Sequence, residues 1–174
     1  MLYIFIGYIL VFFHLKINGF DLLMDFVGFF MIYAGLKQIA NEARGFEKAM
    51  PWAMGLGIVN LFGNVISFTG FAYELHYALV ALNLLTVFAA VYLLYLIGEG
   101  VFELERNIDV ILGAEKLRQV WIVQAVTNIG ASILSLIPTD VTMMIALGCA
   151  VVCIIANIVF LVYWHGVRKT YEMV

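Results

Sequence analysis

Long apolar segments separated by short polar breaks run the length of this chain, from Leu2 to Ile17, Asp21 to Ala40, Pro51 to Gly70, His76 to Gly98, Gln119 to Ile137 and Val141 to Trp164. Most come close to the ~20 residues a helix needs to cross a ~30 Å hydrocarbon core. The first is the exception, being short and ending at His14 and Lys16. The pattern predicts an all-α fold, a polytopic bundle of six transmembrane helices. The breaks alternate in character. After the second, fourth and sixth segments come Lys37, Arg44 and Lys48, then Arg106, Lys116 and Arg118, then Arg168 and Lys169. The other breaks are tight turns around Asn18-Gly19, Gly70 and Pro138, with Lys16 their one basic residue. Basic residues concentrate on the cytoplasmic side of multipass proteins. That rule places both termini in the cytoplasm and the chain in the inner membrane. Each tight turn precedes an acidic residue, Asp21, Glu74 or Asp140, at the next helix start. A carboxylate there accepts free backbone N–H groups and faces the positive end of the helix dipole. The recurrence suggests three helical hairpins in series.

Composition agrees. Hydrophobic residues make up 65% of the 174 and charged residues 12%, against about a quarter charged in a soluble domain. With a mean hydropathy of +1.05, so much apolar surface is tolerable only with a lipid bilayer as solvent and first partner. Residues 1–174 make one transmembrane domain, without room for a catalytic module. The net charge of −3 and the lack of a basic stripe exclude nucleic acid as a partner. The start, Met1-Leu2-Tyr3, has neither the basic region nor the cleavage site of a signal peptide, so the first segment is expected to be a retained span. Cys149 and Cys153 lie one turn apart inside an apolar helix, a packing position and not a secreted disulfide framework. No nucleophile, phosphate-loop or zinc motif occurs, so neither catalysis, cofactor nor metal is expected. The longest connection, Glu99–Arg118, reads as a continuation of the fourth helix followed by a short interfacial amphipathic segment. A partner-docking surface is the alternative there.

Polar side chains inside the membrane tend to face a bundle interior or a wet cavity. The third segment carries Asn60, Asn64 and Ser67, and the fourth Asn83 and Thr86. The fifth carries Gln124, Thr127, Asn128, Ser132 and Ser135, and the sixth Thr142, Cys149, Cys153 and Asn157. Steps of three, four and seven keep each set on roughly one helical face. Hydrogen bonds between helices account for such faces; a central cavity that binds a small solute is the alternative. In the second segment Asp21, Asp25, Gly28, Ile32 and Gly35 share one face, small below and acidic above. Two carboxylates one turn apart repel unless Lys16, a proton or an external cation relieves them. His14, Glu74, His76 and Asp140 stand at the same outer level, without metal-ligand spacing.

The stretch His14-Leu15-Lys16-Ile17-Asn18-Gly19-Phe20-Asp21-Leu22-Leu23-Met24-Asp25-Phe26-Val27-Gly28-Phe29-Phe30 resembles a motif of small multipass membrane proteins of Gram-positive bacteria. Those read Ile-Asn-Gly-Phe-Asp, two aliphatic residues, Pro-Asp, two apolar residues and Gly-Tyr, with a later Gly-Leu that Gly35-Leu36 matches. Here Met24 stands in place of the proline and Phe29 in place of the tyrosine. The resemblance spans only the N-terminal part of the chain. It implies a bacterial inner-membrane protein, no mechanism, and one unit formed by Asn18, Gly19, Asp21, Asp25 and Gly28. Size, six helices and cytoplasmic termini are also similar to the substrate-binding components of energy-coupling-factor transporters. Their small-residue surface on an early helix is missing from the first segment, where large residues dominate.

Together these features predict a non-enzymatic, solute-binding or transport-associated protein. Asp21, Asp25, Asn60, Asn64, Asn83, Gln124, Asn128 and Asn157 are the candidate solute ligands. The alternative is a regulatory or interaction subunit that packs against other membrane subunits.

Overall fold

The computed structural model describes residues 1–12, 16–17, 20–21, 25–69, 76–134, 136–137 and 139–173, with 16–17, 20–21, 67–69 and 76–79 described by backbone alone. His14, Asn18, Gly19, Met24, the turn at 70–75 with Glu74, Ser135 and Pro138 lie outside the described residues. Within them the chain is all-α apart from one two-residue ladder. The helices are α1 (Leu2–Phe12), α2 (Asp25–Ile39), α3 (Arg44–Thr69), α4 (His76–Ile108), α5 (Ala114–Leu134) and α6 (Asp140–Tyr171). Strands β1 (Lys16–Ile17) and β2 (Phe20–Asp21) pair antiparallel, Lys16 with Asp21 and Ile17 with Phe20.

Three helices are long and apolar enough to cross a membrane, over Arg44–Ile66, Val80–Ile108 and Asp140–Tyr171. This differs from the six expected. At 1.5 Å per residue the 11 residues of α1 and 15 of α2 span only about 16 and 22 Å. The 21 residues of α5 are long enough, but Lys116, Arg118, Gln119, Gln124 and Asn128 keep its hydropathy down. Other boundaries move too. The first segment turns into the β1–β2 ladder and does not continue as helix to Ile17. Asp21 therefore sits in a strand four positions before α2, and the helix-start role expected for it falls to Asp25. An Asn-Gly pair with Ile17 and Phe20 on either side is a short-range hairpin signal. Upstream of Pro51, α3 already runs from Arg44.

No separate amphipathic segment follows α4. The helix runs on to Ile108, and the chain reverses through Asp109 (φ 53°) and Gly113 (φ 89°) into α5. Asp is one of the few residues whose short polar side chain tolerates the left-handed region. Glu105 fixes the reversal by accepting the Ala114 N–H at 3.0 Å. At the start of α6 the cap is Thr139, whose hydroxyl accepts from the Thr142 N–H at 3.2 Å while Thr142 Oγ1 accepts from Thr139 N–H at 3.0 Å. Asp140 adds charge to that first turn without being the cap.

Each helix packs on its neighbours in sequence, and α1 closes the ring against α6. The core sits at one end of it. Leu36, Phe46, Leu93, Ile97, Val101, Leu104, Leu117, Trp164 and Val167 are almost completely enclosed there. Among the described side chains none from Ile58 to Ala90, and none from Ala125 to Ile155, is buried. The long helices thus extend beyond the core as apolar arms, with Phe62, Leu85, Val126, Met144 and Leu147 exposed. The packed end also gathers charge. Glu103 accepts the Gly45 N–H at 2.9 Å, Asn107 donates to the Glu42 carbonyl at 2.9 Å, and the Met1 ammonium lies within electrostatic reach of Glu172 and Arg168.

Glycine makes the closest packing possible, and the small face expected on α2 is where it happens. A Cβ on Gly28 would lie 2.7 Å from the Gly7 carbonyl oxygen, and one on Gly35 would lie 2.7 Å from the Ile4 nitrogen. Between α3 and α4 a Cβ on Gly45 would stand 2.3 Å from the Gly100 nitrogen. Such backbone-to-backbone approach is the main source of helix association in lipid, where the hydrophobic effect is absent. Gly28→Val and Gly45→Ala are each expected to destabilise the protein by about 1–3 kcal/mol. Gly130→Ala, whose Cβ would meet nothing within 4 Å, should be neutral or stabilising. Thermal unfolding in detergent checks all three, and equal melting of Gly28→Val and Gly130→Ala would contradict this packing.

Candidate functional site

The eight candidate ligands do not gather in one place. Gln124 and Asn157 do meet, and the third member of their cluster is Tyr8 of α1. Gln124 is 1% exposed. Its Nε2 donates to the Tyr8 hydroxyl at 2.7 Å and to Asn157 Oδ1 at 2.9 Å. The Tyr8 hydroxyl donates to the same Asn157 oxygen. Asn157 Nδ2 closes the set on its own helix, reaching the Cys153 carbonyl at 2.8 Å and Cys153 Sγ at 3.3 Å. Three helices are thereby joined through one side chain each. A phenol within an apolar run gives no amide signal, and for that reason the sequence pattern passes over Tyr8. Its ring packs on Phe160 with centroids 4.7 Å apart, so the cluster is apolar on its flank and polar only at its centre.

The remaining amides behave differently. Asn60 Nδ2 donates to the Leu56 carbonyl at 2.8 Å and Asn128 Nδ2 to the Gln124 carbonyl at 2.9 Å. Thr86 and Thr127 likewise bond the carbonyls of Leu82 and Val123, at 2.8 and 2.7 Å. This is back-bonding within one helix, four residues upstream, which satisfies a polar side chain without bringing in a second helix. Asn64 is half-buried and Asn83 exposed on the outer halves of α3 and α4, and neither amide makes a side-chain hydrogen bond among the described residues. Asp25 is half-buried at the start of α2. Of Asp21 only the backbone is described, paired with Lys16 across the ladder.

Among the described residues, three of the cavities are lined by other side chains than these amides. One of about 300 Å³ lies between α4 and α5 beside Tyr95, Glu99, Arg118 and Trp121. A groove of about 460 Å³ between α3 and α4 is walled by Gly55, Leu56, Val59, Leu85, Thr86 and Ala89. The third, of about 480 Å³, is a polar bowl at the charged end, with Arg44, Glu103, Arg106 and Asn107 on its rim. Among the described residues no group of three or more His, Cys, Asp and Glu side chains could hold a metal ion.

Chemically the Tyr8–Gln124–Asn157 cluster is a helix tie, since its side chains bond one another across three helices. Polar contacts between membrane helices contribute about 0.6 kcal/mol on average and up to about 1.7. A double-mutant cycle with Tyr8→Phe and Asn157→Ala should give a coupling energy in that range. Asn60→Ala and Asn128→Ala should each change stability by less than about 0.5 kcal/mol, because both side chains serve only their own helix. Comparable losses at Asn128 and Asn157 would contradict the assignment. Among known proteins, no family model, no curated protein and no solved structure matches this chain.

Proposed function

We propose that the chain is a non-enzymatic interaction subunit of a membrane complex. In this reading it lies in the cytoplasmic membrane, with α3, α4 and α6 crossing fully and the shorter or more polar α1, α2 and α5 completing six passes around them. Both termini and the α2–α3 and α4–α5 turns then share the cytoplasmic side, which is the end where the charged side chains gather. One observation carries the reading: the outer halves of the long helices have no core of their own.

The α3–α4 groove is the face best shaped for a partner. Gly55, Ala89 and Thr86 make its floor small, and small residues let a second helix approach closely in lipid. Asn83 stands exposed one turn from Thr86. An amide facing hydrocarbon is costly, so a neighbouring helix that hydrogen-bonds it gains both affinity and register. Gly55 has open space where its Cβ would be, so filling the groove there leaves this chain's own packing intact.

A solute-binding reading keeps one supporting observation. The Gln124 Oε1 is buried without a hydrogen-bond partner, and a buried acceptor of that kind is where a small donor ligand would sit. Against it, Gln124 is already held by Tyr8 and Asn157, and Asn60 and Asn128 are turned to their own helices.

Affinity purification from native membranes in mild detergent, with mass spectrometry of what co-purifies, tests the proposal. A membrane protein at fixed stoichiometry is expected, and Gly55→Leu or Asn83→Leu should release it while the subunit still melts normally. Recovery of the wild-type chain alone would overturn the reading. Recovery of coupling and ATP-hydrolysing subunits would return the chain to the transport class.

A further inference from the structure

The cavity between α4 and α5 combines features that a bare lipid-facing surface does not need. Its wall carries the carboxylates of Glu99 and Glu115 and the guanidinium of Arg118, beside the rings of Tyr95, Phe102 and Trp121. The Tyr95 hydroxyl donates to the Glu99 carboxylate and lies within electrostatic reach of Arg118. Even so, no ion pair joins Arg118 to either carboxylate among the described residues, whereas Arg168 and Glu172 do pair, at 3.4 Å. Opposite charges therefore face one space of about 300 Å³ without closing on each other.

The aromatic part of the wall is fixed. Trp121 Nε1 donates to the Val91 carbonyl at 2.8 Å, which anchors the indole of α5 on the backbone of α4. Trp121 packs on Tyr95 at 5.2 Å, Tyr95 stacks on Tyr92 at 6.1 Å, and Tyr92 meets Trp52 edge-on at 4.9 Å. Tryptophan and tyrosine in such a row mark the level of the lipid headgroups. Glu99, Glu115 and Arg118 lie just beyond it, toward the charged end. The placement of this row at the membrane surface rests on the membrane reading above, though not on any protein partner.

We infer that this cavity is a binding site for a zwitterionic phospholipid headgroup bearing a primary ammonium and a phosphate. Arg118 takes the phosphate, as a guanidinium fork suits its oxygens. Glu99 and Glu115 take the ammonium, with the rings of Tyr95 and Trp121 adding cation–π attraction. Two carboxylates against one guanidinium disfavour a purely anionic headgroup, which would meet net repulsion. The acyl chains then run from the headgroup away from the charged end, along the apolar outer surface of α4 and α5, where Phe88, Ile122 and Val126 are exposed.

Native mass spectrometry of the purified chain, reconstituted with equal amounts of phosphatidylethanolamine and phosphatidylglycerol, reads the headgroup preference directly. Bound phosphatidylethanolamine should exceed phosphatidylglycerol about five-fold, the scale of one partly exposed ionic contact. Glu99→Gln should bring that ratio close to one, and Arg118→Gln should lower both adducts. Glu115→Gln, at an exposed position, should narrow the ratio and serves as the second variant should Glu99→Gln misfold. Equal binding of the two lipids to the wild-type chain would overturn the inference, as would an undiminished preference in the carboxylate variants. Displacement of the lipid by millimolar glycerophosphoethanolamine would reassign the site to a soluble zwitterion and overturn the lipid assignment. Recovery of the chain from the soluble fraction of cells would instead count against the membrane reading itself.

Discussion

Backbone contact through glycine is the constraint on which the rest of this molecule depends. In hydrocarbon there is no hydrophobic gain from pressing one apolar helix on another, so association rests on close van der Waals fit and on hydrogen bonds. Helices α1 and α2 are the two shortest, with 11 and 15 residues. They hold by touching at the backbone, with Gly7, Gly28 and Gly35 leaving no room for a side chain between them. Gly45 and Gly100 do the same for α3 and α4 beside the charged end. From that anchorage α1 presents Tyr8 to Gln124 and Asn157, and the ring of helices closes.

The contrast between the two ends follows from the same geometry. Where six helices meet, the core is dense and the turns are stapled by side chains, Glu103 on Gly45 and Glu105 on Ala114. Beyond the reach of α1 and α2 the described part of the long helices has no buried side chain. Functional opportunity therefore concentrates at two levels. In the membrane placement proposed above, the interfacial level holds the aromatic row and the charged cavity of α4 and α5. The hydrocarbon level holds the groove of α3 and α4 lined by Gly55, Thr86 and Ala89.

Much of this was legible in the sequence. Apolar runs located all six helices, because burial in lipid or core demands them whatever the tertiary fold. The small face of α2 was legible for the same reason that it works, since glycines at helical spacing leave a flat strip. Turn chemistry was harder. Asn18-Gly19 reads as a tight turn, but hydropathy does not show that Lys16–Ile17 and Phe20–Asp21 pair as strands. The α4–α5 reversal depends on a left-handed Asp109 and on Glu105 reaching across the turn, neither of which has a periodic signature.

The candidate site was less legible, for a physical reason. An asparagine or threonine on a helix can bond its own backbone or a neighbouring helix, and periodicity does not distinguish the two outcomes. Asn60 and Asn128 took the first course, and Gln124 and Asn157 took the second. Glu99 and Arg118 come to one cavity only because the Asp109–Gly113 reversal folds α5 back along α4. The central claim is that one end of the molecule gathers the charged turns on a single aqueous side, with the arms directed into the membrane. Cysteine-accessibility mapping tests it most directly. With Cys149 and Cys153 replaced by serine, single cysteines at Glu42, Arg106, Lys116 and Glu172 should react with an impermeant maleimide only from the cytoplasmic face, and one at Thr139 only from the other. Labelling of those first four positions from opposite faces would contradict the account.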